Sequence, residues 1–329
     1  MLKKFAVLLV LLVLVGVSCQ SAEPKDEKVV VGMMTIVSHP SLDAIQQGVK
    51  DKLAEAGYVE GENLEIIEGN AEGDMATLNT IAQQFVDEGV DVIVATTTPA
   101  LQAAYNATKD AENPPIIFNG VSNPYAAGIA NAPDDHPAWV LGNQLLDPVA
   151  EAMALIKEIK PTTQTLGLIY NPAEANSVYL AELAQDEAGK MGLTLEVATV
   201  SNSSELQTAA EALAARGIDA FLAISDNTVT SGFEAIVQVA NDNDLLLVGT
   251  SASMPPRGAA AAFGIDPYQE GLDSGNLLVS FLKGDLDLAS AEIQIQDAVL
   301  LTVNPAAAAE QNATLPQELV DKADSIIEE

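Results

Sequence analysis

Two parts of this chain carry the same succession of strand and helix signals, 128 residues apart, and that repetition restricts the fold more than any other feature. Gly89-Val90-Asp91 returns as Gly217-Ile218-Asp219, and an apolar strand follows each, at 92–96 and 220–224. At the same spacing Leu78, Ala82 and Phe85, one face of a helix, fall on Leu206, Ala210 and Leu213. At slightly different offsets, set by loop length, Glu55-Ala56-Gly57 recurs as Glu187-Ala188-Gly189, and Leu64-Glu65-Ile66 as Leu195-Glu196-Val197.

Within the first unit, apolar strands at 29–36, 63–68, 90–95, 115–121 and 139–143 alternate with helices at 40–57 and 74–89, and another begins at Thr98-Pro99, with threonine as cap and proline in the first turn. Nearly continuous apolar strands separated by amphipathic helices imply a parallel sheet covered on both faces. The expected fold is therefore α/β, with two similar doubly wound parallel-sheet lobes joined by a hinge. A length of 329 residues is enough for both.

In open α/β sheets the ligand crevice lies beyond the carboxyl ends of the strands. Those ends read Val37-Ser38, Thr96-Thr97-Thr98 and Val121-Ser122-Asn123 in the first unit, and Tyr170-Asn171, Ser225-Asp226-Asn227 and Thr250-Ser251 in the second. Helices start just after several of them, which suits a carboxylate. Asp226 and Asp266 each follow an apolar strand and precede a helix, and are the acids expected to meet a cation. A zwitterion satisfies both features. At any one position a helix cap explains the same residue types; convergence of several such ends on one cleft favours a ligand. Tyr170, Tyr268, Tyr125 and Phe263 are the rings available for stacking.

No dinucleotide, triphosphate, zinc-protease or nucleophile-elbow motif occurs; His136 reads as a surface loop residue and His39, beside a strand end, as a solvated loop residue or one that lines the cleft, so no catalytic residue, cofactor or metal is expected. The 14 basic against 47 acidic residues, a net charge of -33, argue against a nucleic-acid partner.

Lys3 and Lys4 precede the apolar run 5–17, and the polar stretch 20–28 follows. Residues 1–19 read as an export signal and 20–28 as a flexible tether. Cys19, the only cysteine, ends Val15-Gly16-Val17-Ser18-Cys19, which resembles the lipobox of bacterial lipoproteins, with Gly16 where that pattern usually carries Leu. The resemblance implies lipidation at Cys19 and a protein held at the membrane on the outer side, at the cell surface or in the periplasm.

From residue 29 to about 303 the chain resembles the substrate-binding lipoproteins of ABC transporters, in the branch that includes tryptophan and other aromatic amino-acid receptors. The residues that carry this are His39-Pro40-Ser41-Leu42-Asp43, Glu60-Gly61-Glu62-Asn63, Gln83-Gln84-Phe85, Thr98-Pro99-Ala100, Asn171-Pro172 with Ala175-Asn176-Ser177, and Ser225-Asp226-Asn227-Thr228-Val229. The resemblance implies a type I periplasmic-binding fold, with lobe 1 at 29–143 plus about 266–287, lobe 2 at 144–265 plus about 288–305, the chain crossing back near 293–303, and a C-terminal tail or helix at 306–329. It implies that Thr97, Thr98 and Ser122 hold a ligand from one lobe, and Asn176, Ser177, Asp226 and Asn227 from the other. With Ser38, Asn123 and Asp266 from the strand ends, these form the candidate site. The implied role is that of a receptor closing on a small zwitterion, an amino acid of open identity, and handing it to an ABC permease. A receptor serving a signalling partner, or an exported α/β enzyme, is the alternative.

Overall fold

The computed structural model describes residues 28–328, so the leader, Cys19 and all but the last residue of the tether lie outside the described residues. The chain opens with β1 (Val29–Thr35), α1 (Pro40–Glu55), β2 (Leu64–Asn70), α2 (Met75–Glu88), β3 (Val92–Thr96), α3 (Thr98–Thr108), β4 (Ile116–Val121) and β5 (Val140–Leu145). It continues through α4 (Val149–Ile159), β6 (Thr165–Tyr170), α5 (Ala175–Met191), β7 (Thr194–Thr199), α6 (Leu206–Ala215), β8 (Ala220–Ala223), α7 (Asn227–Ser231), α8 (Phe233–Asp242), β9 (Leu246–Gly249) and β10 (Ala261–Gly264). The last stretch holds α9 (Pro267–Leu282), β11 (Gln294–Gln296), β12 (Leu300–Val303), α10 (Pro305–Glu310), α11 (Gln317–Lys322) and β13 (Ser325–Ile326).

Two sheets result. One runs β11-β5-β4-β3-β1-β2 and the other β13-β12-β10-β9-β8-β6-β7. Stripped of their late additions, they share one order: β5-β4-β3-β1-β2 matches β10-β9-β8-β6-β7, strand for strand, all parallel. The repeated aspartates do the same work in each. Asp91 Oδ2 accepts the N–H of Val30 at 2.7 Å, and Asp219 Oδ2 accepts those of Gln164 and Thr165 at 2.7 and 2.8 Å, so each ties the start of its lobe's first strand to the loop before its third, the neighbouring strand in the sheet. Leu78, Ala82 and Phe85 pack into the first core, and Leu206, Ala210 and Leu213 into the second lobe, all buried. One expected correspondence fails. Gly57 stands past the end of α1 with φ 91°, whereas Gly189 lies inside α5, which runs two residues further and ends at Gly192, φ 68°.

The chain crosses between lobes three times, at 146–148, 265–266 and 297–299. After the second crossing α9 packs along α1, its backbone so close that a Cβ at Gly271 would meet the carbonyl of Ile45, and one at Gly48 the backbone of α9. The third crossing falls within the stretch 293–303 that the resemblance implies for it, but later than the lobe boundary of about 288. Leu288 and Ile293 are buried in the first core, and β11 pairs with β5 in the first sheet. Gln294-Ile295-Gln296 is too short and too polar a strand to signal itself. Nor do the described residues of the expected tail, 306–328, stand apart from the lobes. Ala308 and Leu319 are buried in the second core, and β13 adds to β12 as an edge strand where a helix is expected.

Candidate functional site

Between the lobes lies a cavity of about 660 Å³, counted with its open mouth. The first lobe supplies the start of α1, with His39, Ser41, Leu42 and Ile45, and the end of β4, with Gly120 and Ser122. The second supplies Asn176 at the start of α5, Ser225-Asp226-Asn227 after β8, and Thr250-Ser251 after β9. Two crossings form its floor, through Asp147 and Pro148 in one, and Ile265 with Pro267 and Glu270 of α9 in the other. The apolar walls are aliphatic. Tyr170 and Phe263 pack against the second core and Tyr125 against the first, while Tyr268 points outward, its hydroxyl donating to Asp51 at 2.7 Å. None of these four rings lines this cavity.

Of the residues expected to hold a ligand, Ser122, Asn176, Asp226 and Asn227 line the cavity together. Asn176 donates to the carbonyl of Ser225 at 3.1 Å, and its Oδ1 is buried without a partner. Asp226 is fully buried and accepts the N–H groups of Asn171 and Val229, both at 2.7 Å. Burial, and then the nearby Glu174, hold its carboxyl above the ordinary range. Asn227 is committed to buried Glu174, which also accepts from the Asn227 backbone and from Thr228 twice. Ser177 sits fully buried behind them, within 3.3 Å of the Asn176 amide.

The remaining expected residues do structural work. Ser38 is exposed and donates to Asp43; Asn123 Oδ1 accepts from Tyr125 and Ala126 as a turn cap. Asp266 is exposed and caps α9 through Tyr268 and Gln269, the ordinary role of that residue type. Thr97, not Thr98, caps α3, accepting from Ala100 at 3.4 Å, and does so at φ 100°, ψ 157°, a region that favours glycine. Thr98 opens the helix. Its hydroxyl, that of Thr96 and both amide atoms of Asn119 are buried without partners. Buried polar side chains are nearly always paired, so these groups mark the end of β3 as a place for ligand or water.

Three more residues of the cavity stand outside the expected ligand set. His39, which the sequence leaves between solvent and the cleft, is 8% exposed; burial, and then the positive Arg257 nearby, lower its pKa to about 4, so it is neutral at pH 7. Asp147 follows an apolar strand and precedes Pro148 and α4, the same arrangement that singled out Asp226, and it is the acid that Asp266 is not. Burial raises its carboxyl to about 6, against the hydroxyls of Ser225 and Ser122, and Oδ2 has no partner. Glu270 stands one turn after Asp266 on the buried face of α9, where it accepts the N–H of Gly120; burial, with Asp147 and Asp273 adding to it, pushes it up to about 8.

Known proteins resemble the chain over almost its whole length. The family model of the ABC transporter substrate binding protein matches residues 30–327. A tyrosine-binding protein of Clostridioides difficile is 34% identical over 254 residues, 77% of this chain and 72% of that one. The crystal structure of an ABC domain in complex with L-Trp from Streptococcus pneumonia superposes with a TM-score of 0.85 at 29% identity, covering 92% of this chain and 100% of that one. The ligand-free, open structure of a substrate binding protein with adhesive properties from Clostridium difficile, at 28% identity and 91% and 99% coverage, superposes at only 0.66. With identity nearly equal, the L-Trp complex superposes more closely on this chain than the open structure does. Repeated lobes, a polar cavity between them and a match over residues 30–327 together show that the chain belongs to the ABC transporter substrate-binding protein family, extracytoplasmic receptors that bind small molecules and work with a membrane permease.

Proposed function

We propose that this receptor binds a free amino acid, of the aromatic class, in the cavity between its lobes, closes on it about the three crossings, and presents the closed form to an ABC permease. The observation that carries the reading is the convergence of polar groups from both lobes on one cavity: Ser122 and His39 from the first, Asn176 and Asp226 from the second. A ligand touching both lobes stabilises the closed arrangement by its differential affinity, which is all that closure requires. The aliphatic walls offer a slot for a ring without a stacking partner. The relatives that bind tyrosine and L-Trp support this chemical class.

The same reading places lipid on Cys19, so that residues 20–28 tether the receptor to the outer face of the membrane. Titration calorimetry with L-tyrosine and L-tryptophan tests the ligand class, and small-angle scattering tests closure. Saturable heat with a decrease in radius of gyration is expected; heat from neither amino acid would sink the proposal.

A further inference from the structure

We propose that Asp147 and Glu270 are the subsite for the positively charged group of the ligand, so that a molecule is accepted only if it carries an ammonium. The inference deepens the amino-acid reading above and rests on it. Both carboxyls reach the cavity from its hinge side, Asp147 from the first crossing and Glu270 from the first turn of α9, directly after the second. They are also the acids there with capacity to spare. Asp226 is occupied by two backbone N–H groups and Glu174 by Asn227 and Thr228. Asp273, near Glu270, accepts from the side chains of Gln269 and Gln296. Asp147 Oδ2, by contrast, accepts from nothing, and Glu270 takes the single N–H of Gly120.

No cation of the protein answers this pair. Among the described residues that line the cavity there is neither lysine nor arginine. Arg257, close to His39, is committed: Nε and Nη2 donate to Glu234 at 2.7 and 2.8 Å, Nη1 donates to the Thr230 carbonyl at 2.8 Å, and the guanidinium lies over Phe233 at 5.4 Å. His39 is neutral at pH 7. A buried carboxylate without a partner is costly, and a pair of them side by side more so. An ammonium between them, with the hydroxyls of Ser122 and Ser225 at hand, satisfies both. Because Asp147 lies on the first crossing and Glu270 on α9 just past the second, the same contact also favours the bent hinge. Without ligand the pair retains a proton at neutral pH, which the ammonium displaces.

The test is calorimetry at pH 7 in two buffers of different ionisation enthalpy, with wild type, Asp147→Asn and Glu270→Gln. The probes are L-tyrosine, tyramine, which lacks the carboxylate, and N-acetyl-L-tyrosine, which lacks the ammonium. Wild type is expected to release protons on binding L-tyrosine and to bind the N-acetyl compound at least about 100-fold more weakly. Asp147→Asn should weaken L-tyrosine about 30-fold or more and reduce the proton release, with no loss of melting temperature in the absence of ligand. Binding of tyramine without L-tyrosine would overturn the amino-acid reading while supporting the subsite. Equal affinity for L-tyrosine and its N-acetyl derivative, or both variants within about 3-fold of wild type, would overturn the subsite and leave the amino-acid reading standing. Binding of none of the probes, and none of L-tryptophan, would overturn both.

Discussion

The hydroxyls of Ser41, in the first turn of α1, and Ser253, in the loop after β9, meet at 2.5 Å, one from each lobe. Ser253 is in turn 2.9 Å from Ser251, a cavity residue, so the contact spans the mouth of the cleft beside the ligand site. It exists only while the lobes are together. Ser253→Ala is therefore expected to raise the Kd for L-tyrosine about 3- to 10-fold, mainly through faster dissociation, with little change in melting temperature. Stopped-flow displacement checks this; an unchanged dissociation rate would mean that the contact does not hold the lobes together.

Glu174 organises the second lobe's share of the site. Its carboxylate accepts four hydrogen bonds from Asn227 and Thr228 at 2.6 to 3.2 Å while only 4% exposed. Glu174→Ala would leave those donors buried and unpaired, and a loss of about 3 kcal/mol or more in unfolding free energy is expected from denaturant titration. Glu174→Gln, which keeps the shape and one acceptor, should lose less. A variant as stable as wild type would show that water replaces the carboxylate without penalty.

The acids of the cavity also set a pH dependence whose sign can be worked out. Glu270 has a folded pKa of about 8, above its unfolded value, so its protonation favours the folded state; that contribution is complete below the unfolded pKa and lost as pH rises through 8. Asp147, at about 6, adds the same sign at lower pH. His39, at about 4, acts oppositely: its contribution is present above the unfolded value of 6.5 and lost as pH falls from there through 4. The ligand-free protein should accordingly gain about 2 °C or more in melting temperature on going from pH 9 to 6.5, before His39 begins to oppose the trend. Glu270→Gln should reduce that rise, leaving the share of Asp226, whose carboxyl burial also holds above the ordinary range.

Where α1 and α9 cross, Gly271 leaves no room for a side chain against the Ile45 carbonyl. Gly271→Ala must push the helices apart, at a cost of about 2 kcal/mol. Since Glu270 is the neighbouring residue, affinity for L-tyrosine should fall as well. Thermal melts and titration of the same sample separate the two effects, and an alanine variant that melts and binds like wild type would contradict the tight crossing.

Much of this architecture is legible in local pattern. Asp91 and Asp219 mark equivalent positions because a glycine turn, an acid and an apolar strand recur together, and the two sheets repeat their strand order accordingly. The site was less legible. Asp226 and Asp147 share one sequence context, yet Asp147 lies at a crossing, and nothing local distinguishes a crossing from an ordinary strand-to-helix loop. Glu270 falls on the α9 face that also carries Gly271, Ser274 and Leu278, but an acid on such a stripe reads as solvated until α1 is seen to cover it. β11 has a single apolar residue and no period, so no local pattern marks the third crossing, and only the family resemblance implies it.

That third crossing means that neither lobe is one continuous length of chain. A nascent polypeptide that has reached only β10 already holds the five repeated strands of both sheets, but α1 still shows its bare glycine face and β10 an open edge. The late segments α9, β11 and β12 finish both bodies within a few dozen residues of each other. Maturation of one lobe therefore cannot run far ahead of the other, and removal of the carboxyl-terminal region would leave two incomplete halves in place of one intact domain.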